Sequence, residues 1–513
     1  MSQFFLFKFL YKDRTTLFAC LIFGISALLL ALQPPFFFHE IRSPDTVYHA
    51  AKIAKVLDGS LFTDPFTGTL TLYPPLFHIA ASGIAWFLSP DAALHILGVL
   101  TFILLSSSLI FLGYSVFQNS RQASVFALLF SLIVYAPATK YILLQGPATL
   151  SHPLIFFSMG ALFFYRQTER LHWLLTSALF FGLACQMWWF NLFFALPFLL
   201  ISLSGVSKKN TLLAILLFIL PFSFTAFQLY LIREVLPDYH EVSQEKTRSL
   251  LDAFSTFFLR GQNDYLETLP PWKWHYDHGL NSHLKTARDS VNFAFFFLIS
   301  LPAALFMFFA SIFLFFKNKD RLLFYLFLGS FFFSLGLIFI GNSAHLYRVQ
   351  LYSHTLLLLY IMQTIPIHRS MMALGAVFTL WHVMHNPLLI GKTDWIPQED
   401  RELAHILEPL AENERFFFLD ASYRSLVTIT PFYSLVGNKD GRYYFQDPKS
   451  AKSMKDAYQN IEHRAEWKQA LETFNIKYLG FNKLDSQEAL LLDLYRKEGE
   501  ILYENAKWVL LKL

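Results

Sequence analysis

The most informative feature of this 513-residue sequence is its shortage of charged residues. Asp, Glu, Lys and Arg make up 15% of the chain, against roughly 25% in a typical soluble protein. Hydrophobic residues make up 55% and aromatic residues 18%, with 59 phenylalanines. This composition excludes a soluble globular fold for most of the chain and predicts a polytopic α-helical membrane protein.

Cysteine is also scarce, and neither positive nor negative charge is in large excess. Cys20 and Cys185 both lie in apolar runs, so neither a disulfide framework nor a cysteine-based zinc site is expected. The formal net charge is only +4, and the sequence has no basic stripe of the kind that binds nucleic acid. The first apolar run lacks a small-residue cleavage site and is longer than a signal-peptide core, so we expect it to remain as a membrane helix.

Eleven apolar segments are interpreted as membrane spans, since a spanning helix needs about 20 mostly apolar residues. The apolar segment 75–88 is short and begins after two prolines, so we expect an interfacial or re-entrant helix there. With that assignment the basic turns all fall on one side of the membrane, which the positive-inside rule identifies as the cytoplasm. The predicted spans lie near 15–35, 92–116, 123–140, 150–165, 173–190, 192–206, 211–232, 291–316, 322–341, 347–366 and 371–389.

This orientation places the N-terminus in the cytoplasm and most polar residues on the outer side. The outer side receives a first loop over 36–91, a long loop over 233–290 and the C-terminal residues from about 391. We therefore predict a membrane domain over 1–390, with its chemistry on the outer face, and a separate external domain over 391–513.

The C-terminal residues have the composition of an ordinary soluble domain. Strand patterns occur at 415–420 and 475–481, and the stretch 499–513 is typical of two strands joined by a tight turn. Helical spacing lies between these strands. The fold class predicted for the whole chain is therefore a polytopic α-helical membrane protein of about 11 spans with a small C-terminal α/β domain.

The first external loop carries ionisable residues just where the chain should leave the bilayer. Ser43 can cap a helix that has Pro44 and Asp45 in its first turn and ends at Gly59. Asp45 and His49 then share one helix face, because they are four residues apart. Taken alone, Asp45 is equally well explained as a carboxylate that stabilises the start of a helix through its dipole.

The loop as a whole resembles the first external loop of the GT-C class of integral-membrane glycosyltransferases. That class includes oligosaccharyltransferase catalytic subunits, protein O-mannosyltransferases and the aminoarabinose transferases of lipid A. Its catalytic centre is an acidic residue early in this loop, often followed by an aromatic and a basic or histidine residue, with a "YPP"-like turn downstream. The layout of one span, a long acidic loop, about ten more spans and a C-terminal soluble domain is similar too. The matching residues are Asp45, Tyr48, His49, Asp64, Pro65, Tyr73, Pro74, Pro75 and His78, with Glu40 just ahead.

The resemblance implies a transferase that takes a sugar from a polyprenyl-phosphate carrier and gives it to a glycan, lipid or protein acceptor. Asp45 is the expected base for the acceptor's proton, with Glu40 and Asp64 as less favoured candidates for the same role. His49 would orient Asp45 or bind phosphate. A single base that activates the acceptor implies inversion, by analogy with hydrolases. No cofactor is certain, and a divalent cation is left open.

A second cluster, at the outer end of the tenth predicted span, contains His345, Tyr347 and Arg348. The class commonly has an arginine near this place that contacts the lipid phosphate, and guanidinium groups bind phosphate oxygens in a bidentate manner. Arg348 is therefore the candidate for the donor phosphate. The alternative is an arginine that extends to the lipid headgroups.

Two loops depart from the pattern or leave it open. The second external loop offers His152 and Pro153 but no carboxylate, which argues against a metal shared by two acidic loops. His152 could bind phosphate or a softer metal, although a lone interfacial histidine usually does neither. In the loop 233–290, Trp272 and Trp274 fit an aromatic belt at the interface better than a sugar-stacking site.

Two other function classes remain as alternatives. One is a ligase or polymerase of lipid-linked polymers, and the other is a transporter or flippase of lipid-linked sugars. Asp45 separates the glycosyltransferase from both alternatives, since it is essential in the glycosyltransferase and dispensable in the other two classes. We expect a bacterial inner membrane, with the active site and the C-terminal domain in the periplasm.

Overall fold

A computed structural model gives the fold over the following parts of the chain. The described residues are 14–32, 44–62, 74–133, 147–231, 312–316, 321–334, 346–384, 398–410, 415–418, 433–436, 468–469, 471–472, 476–484, 489, 492–493, 495–497 and 499–513. The helices, in chain order, are α1 (Arg14–Ala31), α2 (Pro44–Leu57), α3 (Leu76–Ala85), α4 (Pro90–Phe117), α5 (Ser120–Ile133), α6 (Pro147–Thr168), α7 (Leu171–Met187), α8 (Leu192–Ser202), α9 (Lys208–Ile219), α10 (Ser223–Leu231), α11 (Leu322–Ser334), α12 (Leu346–Met362), α13 (Arg369–Met384) and α14 (Gln398–Leu407). The strands are β1 (Arg415–Phe418), β2 (Tyr433–Val436), β3 (Tyr478–Asn482), β4 (Glu500–Glu504) and β5 (Trp508–Lys512).

Contacts divide the chain into two compact units, which we call the helical unit and the mixed unit. The helical unit comprises Met1–Gln33, Gly98–Ser223 and Lys246–Ile390. The mixed unit comprises Pro34–Leu97, Phe224–Glu245 and Gly391–Leu513. The first external loop is therefore grouped with the C-terminal residues.

Long apolar helices support an integral membrane protein, as the composition predicts. Within the part of the chain that the structure describes, four stretches are long and apolar enough to cross a bilayer, namely Arg14–Ala31, Ala92–Phe117, Pro147–Thr168 and Lys208–Phe227. The other apolar helices in the described residues are 10 to 17 residues long. The predicted number of eleven spans stays a prediction.

Close backbone contact holds part of the helical unit together. A Cβ atom at Gly182 of α7 would lie 2.3 Å from the carbonyl oxygen of Phe218 in α9. Small residues allow membrane helices to approach this closely, and packing and dispersion then stabilise the pair. The buried core around this contact is rich in aromatic rings, including Phe181 and Phe198 with centroids 5.6 Å apart.

Local sequence signals explain where α2 ends in the mixed unit. Gly59 has a φ of +82°, a conformation that glycine adopts without a steric penalty. The Gly59 N–H donates to the Val56 carbonyl at 3.1 Å, and the Ser60 N–H donates to the Lys55 carbonyl at 2.8 Å. These two bonds form a Schellman motif, so the predicted helix end at Gly59 is confirmed.

The C-terminal part of the mixed unit is built on a five-stranded sheet of order β2-β1-β3-β5-β4. β1 is parallel to both β2 and β3, whereas β5 is antiparallel to β3 and β4. The strand predicted at 415–420 is confirmed over 415–418, and 419–420 lie outside the described residues. The strand predicted at 475–481 is confirmed from 478, and the strand pair at 499–513 is confirmed. Strand β2 was not predicted from the sequence.

A buried acidic residue fastens α14 to this sheet. Asp400 is fully buried and accepts hydrogen bonds from Trp508 Nε1 at 2.6 Å and Lys507 Nζ at 2.7 Å. The apolar core beside it, which includes Leu403 and Trp508, also packs against Ala51 of α2. The helix of the first loop is therefore held partly by the C-terminal core.

Candidate functional site

A pair of buried histidines joins the two helices of the first external loop. His49 on α2 and His78 on α3 are both buried, and His49 Nδ1 lies 3.0 Å from His78 Nε2. The ring of Phe77 packs edge-on against His49 with centroids 5.4 Å apart. Both histidines were predicted as site residues, and the structure brings them into direct contact.

Pro74 and Pro75 directly precede α3, whose first turn contains His78. Pro75 is the N-cap of α3, and its carbonyl accepts the Ile79 N–H at 2.9 Å. The Ser82 hydroxyl donates to the His78 carbonyl at 2.6 Å. His78 therefore occupies the first turn of a short, well-anchored helix.

Lys52 is a functional candidate that the sequence reading missed. Its side chain is fully buried, although it lies on a loop helix and carries an ammonium group. Lys52 follows His49 by three residues and Asp45 by seven, so all three positions share one face of α2. This periodicity was visible in the sequence, but a lysine on a helix normally extends to solvent.

Three causes keep His78 neutral near pH 7. Burial lowers the pKa of His78 well below its ordinary value, and the neighbouring His49 and Lys52 lower it further. A hydrogen bond with the Pro74 backbone acts in the opposite direction but is the weakest contribution. A neutral His78 can either donate to His49 or accept from it, since the direction of the bond depends on the tautomer.

Several predicted site residues have no described side chain. Positions 45 and 48 lie in the first turns of α2, but the side chains of Asp45 and Tyr48 are outside the described residues. Glu40, Asp64 and Tyr73 lie wholly outside them, and Pro74 is described directly before Pro75. Of the prediction for Asp45, the structure describes only the backbone position, which lies one helical turn before His49 on α2.

The predicted phosphate cluster lies partly in the described residues. Positions 347 and 348 are in the first turn of α12, whereas His345 and the loop 233–290 lie outside the described residues. The side chains of Tyr347 and Arg348 are likewise not described. His152 is buried in α6, and its Nδ1 lies 2.6 Å from the hydroxyl of Tyr352 on α12.

The described residues do not fit a metal centre. Among them, no group of three His, Cys, Asp or Glu side chains is arranged to hold a metal ion. His49 and His78 form a pair that is bonded to each other, and His152 is bonded to a tyrosine. We derive no catalytic step through a metal.

The fold is similar to solved structures of two membrane transferases. The oligosaccharyltransferase of Archaeoglobus fulgidus in its apo form superposes with a TM-score of 0.57 at 12% identity, covering 95% of this chain and 72% of that chain. ArnT from Cupriavidus metallidurans bound to undecaprenyl phosphate gives a TM-score of 0.48 at 11% identity, covering 97% of each chain. No family model matches the sequence, and no curated protein matches it. The likeness to the oligosaccharyltransferase confirms the predicted resemblance at the level of the fold.

Proposed function

We propose that this protein is a membrane glycosyltransferase that moves a sugar from a polyprenyl-phosphate carrier to an acceptor on the outer face. The observation that carries the proposal is the GT-C fold combined with a first-loop helix whose positions 45, 49 and 52 lie along one face. The histidine pair and the C-terminal core hold this helix from two sides. Such rigid support is what a positioned catalytic group requires.

In the proposed reaction, an oxygen or nitrogen of the acceptor forms a bond to the anomeric carbon, and Asp45 takes the proton from that atom. The bond from that carbon to the phosphate oxygen breaks, and the polyprenyl phosphate leaves as an anion. One attack on one carbon inverts its configuration. His49, one helical turn after Asp45, orients the carboxylate, and His78 holds the ring of His49.

Arg348 is the proposed partner of the departing phosphate. Position 348 lies close to the first described residue of α12, Leu346. A guanidinium forms bidentate contacts with phosphate oxygens, and this match supports a phosphate-binding role over an arginine that only contacts lipid headgroups.

The short helix α3 supports an interfacial position for the loop. Its ten residues are about 15 Å long, half of the hydrocarbon thickness. Trp86 and Phe87 directly follow it with exposed fractions of 75% and 83%, as expected of aromatic residues seated among headgroups. The proposed outer face, the cytoplasmic N-terminus and the bacterial inner membrane follow from the basic turns in the sequence.

The function is tested by comparing two aspartates of the same loop helix region. Asp45→Asn should lower sugar transfer from a panel of polyprenyl-phosphate sugars by at least a hundredfold, the scale of losing a general base, while undecaprenyl phosphate binding persists. Asp58→Asn, at the exposed end of α2, is the matched control and should retain transfer. Full transfer by Asp45→Asn would refute its role as the base and move the test to Glu40 and Asp64.

A further inference from the structure

A chain of three buried polar side chains links four elements of the helical unit. His152, Asn191 and Tyr352 are each no more than 1% exposed. The Tyr352 hydroxyl donates to Asn191 Oδ1 at 2.9 Å and lies 2.6 Å from His152 Nδ1. Asn191 Nδ2 donates to the Ala184 carbonyl at 2.9 Å. The chain therefore connects α6, α7, α12 and the 3₁₀ turn Trp189–Asn191.

The direction of each hydrogen bond in this chain follows from one backbone carbonyl. A carbonyl only accepts, so the amide nitrogen of Asn191 faces Ala184 and its oxygen faces Tyr352. That oxygen also only accepts, so the single hydroxyl proton of Tyr352 is used towards Asn191. The Tyr352 oxygen must then accept from His152, which requires a proton on Nδ1. His152 is thereby fixed as an Nδ1 donor.

This saturated chain determines the rotation of α12. The Tyr352 ring also packs against Phe156 and Phe194, with centroids 5.5 and 4.9 Å away. Polar side chains within a membrane bundle are costly when unsatisfied and join helices when they are paired. Turning α12 would separate Tyr352 from both His152 and Asn191 and leave two buried polar groups without their partners.

Arg348 precedes Tyr352 by one helical turn, on the same face of α12. We propose that Tyr352, clamped between His152 and Asn191, is a positioning residue that sets the rotation of α12 and thereby holds Arg348 for a lipid-borne phosphate. This inference rests on the proposed function, because it takes Arg348 as the phosphate-binding group. It gives His152 the task of orienting a helix, in place of binding phosphate or metal.

The test measures the affinity of the purified full-length protein for undecaprenyl phosphate. Arg348→Ala should weaken binding by tenfold or more, and Tyr352→Phe should weaken it by three- to tenfold. In the double variant the loss should equal that of Arg348→Ala alone, because a residue that acts through another shows no additive effect. Tyr360→Phe makes the same chemical change at a buried tyrosine two turns along α12 and should leave binding unchanged.

The outcomes separate this inference from the proposed function. If Arg348→Ala leaves the affinity unchanged, the phosphate role proposed for Arg348 is wrong and the inference falls with it. If Arg348→Ala weakens binding but Tyr352→Phe does not, or if the two losses add, the phosphate role stands and the positioning role is overturned.

Two substitutions of His152 keep the test decisive even if Tyr352→Phe fails to fold. The amide nitrogen of asparagine can occupy the place of Nδ1, whereas that of glutamine occupies the place of Nε2. His152→Asn should therefore preserve the bond to Tyr352 and the affinity, and His152→Gln should weaken binding three- to tenfold. The reverse order would mean that Nε2 acts directly on a ligand and would overturn the inference.

Discussion

The mixed unit contains the buried pair His49 and His78, and the helical unit contains the buried chain of His152, Tyr352 and Asn191. The two groups differ in how the directions of their hydrogen bonds are determined. In the helical unit, the Ala184 carbonyl fixes the direction of each bond along Asn191, Tyr352 and His152. In the mixed unit, the proton between His49 and His78 can belong to either ring. Each bond of the first group has one direction and joins helices, whereas the direction of the second bond depends on the tautomers of two rings in the loop that carries Asp45.

The two groups also differ in charge. The cause of the low pKa of His78 includes two neighbours of positive character, His49 and Lys52. Grouping such residues in a buried place costs stability, and sites that sacrifice stability are commonly functional sites. The chain of His152, Tyr352 and Asn191 contains one histidine beside two uncharged side chains, and it joins the helices on which these residues lie. This contrast is the physical reason to place the chemistry on α2 and the support on α12.

The largest effect on stability is expected where packing is tightest, at Gly182 in the helical unit, in contrast to the exposed Gly83 in the mixed unit. Gly182→Ala would force its new Cβ against the Phe218 carbonyl, 2.3 Å away, and backbone atoms cannot move aside without shifting α9. We expect a loss of about 2–3 kcal/mol in stability. Gly83→Ala, on the exposed side of α3 with no atom within 4 Å, should stabilise by up to about 1 kcal/mol through helix propensity.

Thermal unfolding of both variants in detergent, followed by the loss of helical circular dichroism, checks this prediction. The wild type and the two alanine variants are compared at one pH. Equal unfolding temperatures for the two variants would contradict the close contact between α7 and α9.

An intermediate effect is expected from breaking the chain of His152, Tyr352 and Asn191. Asn191→Leu removes the acceptor of the Tyr352 hydroxyl and frees α12 from the 3₁₀ turn. Hydrogen bonds between membrane helices contribute on average about 0.6 kcal/mol and at most about 1.7 kcal/mol, so we expect a loss within that range. Asn210→Leu, at a half-exposed position near the start of α9, is the control and should be close to neutral. A neutral Asn191→Leu variant would mean that the chain does not support the bundle.

Local signals in the sequence predicted the parts of the site that depend on neighbouring residues. Pro44 and Gly59 gave the bounds of α2, because helix starts and ends are governed by residues within one turn. The four-residue spacing of Asp45 and His49 gave their common face. The strand pair at 499–513 was equally local, since its turn joins β4 and β5 directly.

Long-range contacts were beyond these rules. His49 meets His78 across 29 residues, and His152 meets Tyr352 across 200, so no periodicity relates the partners. Strand β2 has only four residues and pairs with the parallel strand β1. Its own sequence does not predict this pairing. Lys52 is buried, whereas the helix pattern alone suggested a solvent-exposed lysine.

The smallest expected effect is a loss of folding stability in acid, which His78 of the mixed unit causes. His78 has a lowered pKa in the folded state, so below its ordinary value of 6.5 the unfolded chain binds more protons than the folded one. Stability is therefore fully present above about pH 6.5 and is lost as the pH falls. At pH 5.5 the contribution of this one group is at most about 1.4 kcal/mol.

His78→Phe should remove that contribution, so its unfolding temperature should fall less than that of the wild type between pH 7.5 and pH 5.5. Lys52→Met should reduce the acid sensitivity only in part, because it removes one positive neighbour but leaves burial, the largest cause, in place. His172→Phe, at an exposed histidine of the helical unit, should behave as the wild type. If His78→Phe were as acid-sensitive as the wild type, burial and the neighbours of His78 would not lower its pKa in the folded protein.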